Sequence, residues 1–343
     1  MEQNYFQKRL KDEDKIFESN EVKYLPKNAL IELTNGCNHS CIFCYNPEMK
    51  RKINHMDFKT YKKFISMGIE EGLEEVGLYS TGEPFMTKNL QDYIFEAKKL
   101  GIKRVYITTN GALANIDKVI KCIEAGLDSI KFSINAGTKE SYKLIHGQDD
   151  FEKVFNNLNA IFDYKKKKKI NLQLLCSFVY TDLTKKETQE FKQNFGKFFE
   201  DIFFVAAENQ GGRTGDKVDE LVKTDKVDKF TSFKPCGMIW DKIHLTNEGY
   251  FTACCVDYEN DLVFQKFDPS ISILRQFNNS KIKYLRDKHL NNKLEGTICK
   301  NCIYNKNENF DKIDETLTNN IGFVSKKIND RKTANIKNRL TQH

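Results

Sequence analysis

The chain has 343 residues, a formal net charge of +7 and ten cysteines. This length suffices for one large domain and a smaller one, and the charged N-terminus contains no apolar stretch resembling a signal peptide or a membrane span. We therefore expect a cytoplasmic protein. Because disulfides are rare in the cytoplasm, we expect its cysteines to serve metal or redox chemistry.

Residues 1–28 are predicted to form an N-terminal extension, and the apolar run Ala29–Thr34 predicts the first strand of the next domain. From there to about residue 207, short apolar strands alternate with amphipathic helices, which is typical of parallel β/α units. The other strands are predicted at Glu75–Ser80, Arg104–Thr109, Asp128–Ile134, Leu172–Tyr180 and Asp201–Ala206. Six such units predict an α/β fold with a partial (β/α)6 TIM-like barrel over residues 29–215, and a doubly wound sheet is the alternative.

Three cysteines, Cys37, Cys41 and Cys44, follow the first predicted strand with the spacing Cys-x3-Cys-x2-Cys. A closed iron-sulfur cluster usually takes four cysteine thiolates, so three thiolates leave one iron open to another molecule. A zinc knuckle is the alternative, because His39 lies close enough in sequence to complete a set of four ligands.

This spacing, with Phe43 just before the third cysteine, resembles the cluster motif of the radical S-adenosylmethionine (SAM) superfamily. The resemblance implies that the three cysteines hold a 4Fe-4S cluster whose fourth iron is chelated by SAM. It further implies an oxidoreductase that cleaves SAM reductively to a 5′-deoxyadenosyl radical, which then abstracts hydrogen from a substrate. A flavodoxin- or ferredoxin-type electron donor would supply the reducing electron.

The segment Thr81-Gly82-Glu83-Pro84 follows the second predicted strand and resembles the Gly-Gly-Glu motif of the same family, with Thr81 in the first glycine position. The resemblance implies that Gly82 and Glu83 contact the methionyl amine of SAM. Asn110 ends the third strand, where a turn and a binding role are both open. By resemblance, the candidate SAM-contacting residues are Phe43, Tyr45, Gly82, Glu83, Asn110, Ser133 and Asn135.

A polar stretch at residues 216–231 predicts a linker, and the pattern from Ile243 to Cys254 predicts a β-hairpin. Around this hairpin lies a second set of four cysteines, which is sufficient for a closed site: Cys236, Cys254, Cys299 and Cys302. Structural zinc is the alternative, because a terminal Cys-x2-Cys is a zinc-ribbon spacing. Cys255 is adjacent to Cys254, and since successive strand residues point to opposite faces, we expect one of the pair, Cys254, to be the ligand.

Residues 232–305, including Trp240 and the hairpin, resemble a twitch module, the shortened SPASM domain that carries one auxiliary 4Fe-4S cluster. A fully ligated cluster has no open position, so the resemblance implies that it accepts an electron from the substrate radical. The expected reaction is therefore dehydrogenation of a small polar molecule such as a sugar or an aminocyclitol. Modification of a peptide or protein side chain is the second hypothesis, and a non-catalytic iron-sulfur or zinc protein is the third.

The remaining features have less specific interpretations. Cys122 and Cys176 fall in a predicted helix and a predicted strand, so we expect small core residues. The run Lys165–Lys169 and the basic tail at 306–343 lack interleaved aromatic residues, which favours solvated surface over nucleic-acid binding. We expect a small-molecule or peptide substrate and no membrane or nucleic-acid partner. Weaker site candidates after the sixth strand are Asn209, Gln210 and Arg213.

Overall fold

The computed structural model describes residues 17–215, 220–222, 233–304 and 306–321, together with Ile336 and Arg339. Nine strands form one sheet: β1 (Asn28–Ile31), β2 (Glu75–Gly77), β3 (Arg104–Thr109), β4 (Ser129–Ser133), β5 (Gln173–Tyr180), β6 (Asp201–Ala206), β7 (Ile243–Leu245), β8 (Tyr250–Thr252) and β9 (Val263–Lys266). Their order across the sheet is β6-β5-β4-β3-β2-β1-β7-β8-β9.

Strands β1 to β6 pair in parallel, each with its sequence neighbour. Within the described residues the sheet is open, with β6 and β9 at its edges. This arrangement confirms the predicted α/β fold with a partial barrel. Strands β3 and β6 have the predicted bounds, whereas β1 ends at Ile31, three residues earlier than predicted, because the chain leaves the sheet to form the cysteine-bearing loop.

The crossovers between parallel strands are helical, as the alternating pattern predicts. The α-helices are α1 (Phe58–Glu70), α2 (Leu90–Leu100), α3 (Ile116–Glu124), α4 (Lys139–His146), α5 (Phe151–Lys168), α6 (Thr188–Phe195), α7 (Met238–Asp241), α8 (Ile273–Phe277), α9 (Ser280–Leu290), α10 (Ile298–Tyr304) and α11 (Glu315–Asn320). No helix in the part of the chain that the structure describes is long and apolar enough to cross a membrane.

The predicted hairpin is confirmed as the antiparallel pair β7 and β8. It does not stand apart from the first six strands, because β7 pairs in parallel with β1 through Ala29 and Ile243. A third antiparallel strand, β9, follows and was not predicted. The hairpin therefore extends the barrel sheet and fixes the second cysteine set relative to the first.

Several smaller predictions are also confirmed. Cys122 lies in α3 and Cys176 in β5, and both are buried in the core. The lysine run closes α5, where Lys166, Lys167 and Lys168 are exposed. Most of the predicted linker lies outside the described residues.

A buried ion-pair cluster joins the end of β1 to the turn of the hairpin. Arg51 is 2% exposed and donates to Glu32 Oε2 and Glu248 Oε2, both at 2.7 Å. Asn247 completes the cluster, since its backbone N–H donates to Glu32 Oε2 at 3.2 Å. Breaking a buried pair by removing one partner leaves an uncompensated charge, so Arg51 holds the hairpin against the barrel sheet.

Replacing Arg51 with Met is expected to lower the free energy of unfolding by about 3–5 kcal/mol, because Glu32 would be left buried without its cation. Urea unfolding followed by circular dichroism measures the change. The control is Lys27→Met, which removes the exposed ion pair with Glu74 and should cost less than about 1 kcal/mol. Equal effects of the two variants would contradict this assignment.

Candidate active site

The candidate site lies at the carboxyl ends of the parallel strands. In an open parallel sheet, the loops that follow the strands meet at this edge, so residues distant in sequence come together there. One of these loops, residues 32–57, follows β1 and contains the first three cysteines; we call it the cysteine loop.

The cysteine loop is folded by its own polar side chains. Asn35 donates to the backbone carbonyl of Lys52 at 2.9 Å and accepts from the backbone N–H of Asn54 at 2.8 Å, so the start and end of the loop are tied together. Asn46 donates to the carbonyls of Asn35 and Thr81, both at 2.8 Å. These bonds fix the loop on the end of β2.

The three thiols of the cysteine loop gather on one side of it. Burial and the neighbouring thiols of Cys44 and Cys37 raise the pKa of Cys41 well above its usual value. Three converging thiols are unfavourable to ionise together, and a bound cationic centre removes that cost. The donor set therefore fits a metal centre that takes three thiolates.

Gly82 is the point where the end of β2 contacts the cysteine loop. A Cβ at this position would lie 2.4 Å from the carbonyl oxygen of Thr34 and 2.6 Å from that of Gly36. The backbone N–H of Glu83 donates to the Gly36 carbonyl at 2.8 Å. Only glycine permits this approach, so the predicted motif has a packing role in addition to any contact with SAM.

Thr81, which departs from the family pattern, has a defined partner. Its hydroxyl donates to Glu32, the carboxylate that also accepts from Arg51. The position that is glycine in the resembling motif here adds a hydrogen bond to the buried ion-pair cluster.

Glu83 is a buried carboxyl that accepts two hydrogen bonds from the end of β3 and one from its own turn. Its partners are the Thr109 hydroxyl at 2.7 Å, the Asn110 backbone N–H at 2.8 Å and the Phe85 backbone N–H at 3.1 Å. Burial outweighs these bonds and raises the pKa of Glu83 to about 7. A carboxyl poised in this way gains from an arriving cation.

Two other predicted contacts, Asn110 and Asn135, already have partners within the protein. The Asn110 side chain donates to Asn38 Oδ1 at 2.9 Å and lies 4.0 Å from the sulfur of Cys37. Asn135 Oδ1 accepts from the Val179 backbone N–H at 2.9 Å. Asn110 thus reaches the cysteine loop, whereas the Asn135 side chain ties β4 to β5.

Ser133 and Phe43 occupy different surroundings. The Ser133 hydroxyl lies at the end of β4, 3.5 Å from Asn135 Nδ2. Phe43 is buried in a small apolar cluster with Ile42, Ile145 and Ile336. Phe43 therefore anchors the cysteine loop to the protein interior.

Tyr45 is brought together with two of the weaker sequence candidates. Its backbone N–H donates to Gln210 Oε1 at 3.0 Å, and the Arg213 guanidinium lies 5.0 Å from the centre of its ring. Arg213 is also ion-paired with Asp261. Asn209, the third candidate, instead donates to the Asn301 carbonyl at 2.8 Å and so joins the loop after β6 to α10.

Sequence reasoning missed two residues that contact the site thiols. Tyr258 places its hydroxyl 3.4 Å from the sulfur of Cys44, and His146 places Nδ1 3.5 Å from the sulfur of Cys41. Each lies more than 100 residues from its cysteine, and no local spacing pattern could indicate these pairs.

The second cysteine set surrounds Cys236. The thiols of Cys254, Cys299 and Cys302 all have Cys236 among the neighbours that raise their pKa values. Cys255 also lies beside Cys236, and the Cys254 thiol donates a hydrogen bond to Cys255. The donor set of soft thiols therefore fits an iron-sulfur cluster or zinc.

Cys254 and Cys255 do not lie in a strand, contrary to the prediction on which the choice of Cys254 was based. Strand β8 ends at Thr252, so the two cysteines lie in the turn beyond it. The alternation of side chains in a strand does not apply there, and the two thiols contact each other.

A cavity of about 680 Å³ has sequence neighbours of both cysteine sets in its wall. Tyr45, which lines the cavity, follows Cys44 in the sequence. Asn301, which also lines it, lies between Cys299 and Cys302 in the sequence. Arg213, Asp261 and Phe310 form much of the remaining wall, which is rich in polar groups.

Comparison with known proteins relates part of the chain to one superfamily. The model of the Radical SAM superfamily matches residues 31–193, the segment that contains the cysteine loop and strands β2 to β5. An uncharacterized protein from Methanocaldococcus jannaschii is 36% identical over 145 residues, which are 42% of this chain and 46% of that protein. A probable GTP 3′,8-cyclase from Sulfurisphaera tokodaii is 34% identical over 37% of this chain and 40% of that protein. The match spans less than half the length of these curated relatives.

Solved structures share the fold over more of the chain. BtrN, solved in complex with AdoMet and 2-DOIA, has a TM-score of 0.55 at 17% identity, over 84% of this chain and 98% of BtrN. SuiB of Streptococcus suis, bound to precursor peptide SuiA, has a TM-score of 0.62 at 14% identity, over 90% of this chain and 78% of SuiB. At these identities the similarity establishes the fold alone.

Proposed function

We propose that this chain is a radical SAM oxidoreductase that removes hydrogen from a small polar substrate and passes the remaining electron to an auxiliary 4Fe-4S cluster. The observation that carries the proposal is a cavity whose wall contains Tyr45, the residue after Cys44, and Asn301, which lies between Cys299 and Cys302 in the sequence. A substrate held there would lie close to both the hydrogen-abstracting centre and an electron acceptor.

Cys37, Cys41 and Cys44 would hold the SAM-binding cluster, and Gly82 and Glu83 would face the methionyl amine. When bound, this cluster and SAM supply the reductive cleavage that gives a 5′-deoxyadenosyl radical for hydrogen abstraction. The chain's part is to orient the reactants and exclude water, because such a radical attacks any nearby C–H bond. Glu83 is fixed by three hydrogen bonds from the chain. In this proposal its carboxylate would accept from the ammonium of SAM.

Cys236, Cys254, Cys299 and Cys302 would hold the auxiliary cluster of a twitch module. Thr252 and Asp257 support this assignment, because their 2.6 Å hydrogen bond fixes the turn that presents Cys254. The bond from Asn209 to the Asn301 carbonyl fixes α10, which carries Cys299 and Cys302. Both supports keep the thiols in place independently of any metal.

A peptide substrate is the second candidate, and one observation favours it: the fold similarity to SuiB, solved with a precursor peptide, extends over 90% of this chain. The cavity volume of about 680 Å³ lies within the range of small-molecule sites, which favours the first candidate.

Anaerobic reconstitution followed by iron and sulfide analysis tests the proposal. Two 4Fe-4S clusters predict about eight iron atoms per chain. About four iron atoms with one zinc ion would contradict the auxiliary cluster. Absence of 5′-deoxyadenosine after reduction in the presence of SAM would contradict the enzymatic proposal altogether.

Replacing Cys41 with Ala is expected to abolish 5′-deoxyadenosine formation, because the SAM-binding cluster loses one of three ligands. Replacing Cys302 with Ala should retain part of the SAM cleavage while stopping substrate oxidation. Liquid chromatography of reduced reaction mixtures measures both. The control Cys122→Ala alters a buried core thiol and should retain both clusters. Equal loss of SAM cleavage in the Cys41 and Cys302 variants would make the second site a folding element.

The adjacent pair Cys254 and Cys255 offers a matched comparison. Cys254→Ser is expected to halve the iron content from about eight to about four atoms per chain. Cys255→Ser should retain about eight, because its sulfur is not assigned to the cluster. Iron and sulfide analysis decides the ligand, and the reverse pattern would assign Cys255 instead.

SAM binding is expected to weaken as the pH falls through 7. Burial raises the pKa of Glu83 to about 7, so below that pH the carboxyl becomes neutral and no longer attracts the ammonium. Protonation predicts about tenfold weaker binding at pH 6 than at pH 8. Absorbance titration of the reconstituted protein measures the dissociation constant. Glu83→Gln should bind weakly at both pH values, and an unchanged pH dependence in that variant would show that another group is responsible.

A further inference from the structure

Four side chains, beginning with Cys41 of the first cysteine site, form a continuous series of polar contacts. Cys41 Sγ lies 3.5 Å from His146 Nδ1, which lies 3.2 Å from His39 Nδ1. His39 Nε2 lies 3.2 Å from Asp150 Oδ2. Both histidines are at most 2% exposed, so their contact with each other is shielded from bulk water, whereas the Asp150 side chain is 24% exposed.

The backbone N–H of Asn135 determines the tautomer of His146, that is, which ring nitrogen carries the proton. Its N–H lies 3.3 Å from His146 Nε2, and the Asn135 side-chain amide lies 3.4 Å from the same atom. A backbone N–H can only donate, so Nε2 must be the acceptor. In the neutral imidazole the proton is then on Nδ1, the nitrogen that faces Cys41.

Asp150 determines the tautomer of His39, whose proton lies on Nε2 and not on Nδ1 as in His146. A carboxylate accepts, so His39 Nε2 carries the proton that faces Asp150 and His39 Nδ1 has a free lone pair. The N–H on His146 Nδ1 therefore has two acceptors within reach, the sulfur of Cys41 and the nitrogen of His39.

A metal ion held by the same three side chains is the competing interpretation. One ligand atom from each of His39, Cys41 and His146 lies within 4.8 Å of the others. Coordination through His146 Nδ1 would move its proton to Nε2, where it would face the N–H of Asn135. Two donors would then oppose each other in a buried position, which is unfavourable.

The His146 ring is held in place by its surroundings. Tyr142 stacks on it with ring centres 4.1 Å apart and an angle of 17° between the planes. The backbone N–H of Ser40 donates to the His146 carbonyl at 3.1 Å. Arg339 donates to the carbonyls of both Ser40 and Leu144, so it links the cysteine loop to α4. The distance between His146 and Cys41 is therefore set by the fold.

We propose that His146 is a positioning residue that donates its Nδ1–H to the Cys41 thiolate and raises the reduction potential of the SAM-binding cluster, with His39 as a competing acceptor. Hydrogen bonds to cluster sulfurs stabilise the more negative, reduced state. This inference rests on the proposed function, since it requires a cluster at Cys37, Cys41 and Cys44. It identifies a regulator of the electron-transfer step outside the thiolate ligands.

The test is a redox titration of the full-length reconstituted protein by electron paramagnetic resonance, with the first cluster identified by its spectral response to SAM. His146→Leu removes the donor and should make reduction about tenfold less favourable, a shift of 59 mV to more negative potential. His146→Asn keeps an amide donor near the Nδ1 position and should restore most of that shift.

His39→Leu gives the opposite sign. Without its competing acceptor, the His146 Nδ1–H is left to Cys41 alone, so the potential should become more positive. If His146→Leu fails to assemble a cluster, the potential of His39→Leu still tests the proposed hydrogen bond from His146 to Cys41. The control Lys166→Leu replaces an exposed side chain of α5, outside the cysteine loop, and should leave the potential unchanged.

An unchanged potential in His146→Leu, or an unchanged or more negative one in His39→Leu, would overturn the inference while leaving the proposed function intact. Absence of a SAM-responsive cluster in the unmodified protein would overturn both. Calorimetric titration of the cluster-free protein with Zn²⁺ tests the metal interpretation. One equivalent bound, and lost in both the His39 and His146 leucine variants, would contradict the donor assignment.

Discussion

The close packing of Gly82 against the backbone of Thr34 and Gly36 is the constraint on which the rest of the site depends. It brings the end of β2 into direct contact with the cysteine loop, so that Glu83 and the three thiols have a fixed relation to one another. A side chain at this position would force the two segments apart. The hydrogen bonds from Asn46 to the carbonyls of Asn35 and Thr81 act on the same contact.

The second constraint couples the two cysteine sites. Strand β7 pairs with β1, and the buried Arg51 cluster holds the hairpin turn to the end of β1. Tyr258, which follows the Cys254 turn, contacts the sulfur of Cys44 at 3.4 Å. The module carrying the second site is thus continuous with the barrel sheet, and the cavity wall includes Tyr45 from the cysteine loop and Asn301 from α10.

Much of this arrangement follows from local sequence. The three cysteines lie within eight consecutive residues, and alternating apolar strands and helices predict where each polar strand end must lie. Contacts between distant segments were not accessible in this way: Cys41 and His146 are 105 residues apart, and Arg51 and Glu248 are 197 apart. The pairing of β7 with β1 was missed for the same reason, because the sequence of a three-residue strand does not indicate which strand it pairs with. For Asn135 the SAM contact stays a prediction; the structure adds that its Oδ1 accepts from the Val179 backbone N–H, a contact that the sequence pattern did not indicate.

The central claim is that three cysteines hold a cluster with one iron left open for SAM. Electron-nuclear double resonance of the reduced, reconstituted protein with SAM labelled with ¹⁵N at its amino group tests this claim most directly. We expect a ¹⁵N coupling strong enough to require a direct bond between the amino nitrogen and iron. A cluster signal without any such coupling, at saturating SAM, would contradict it.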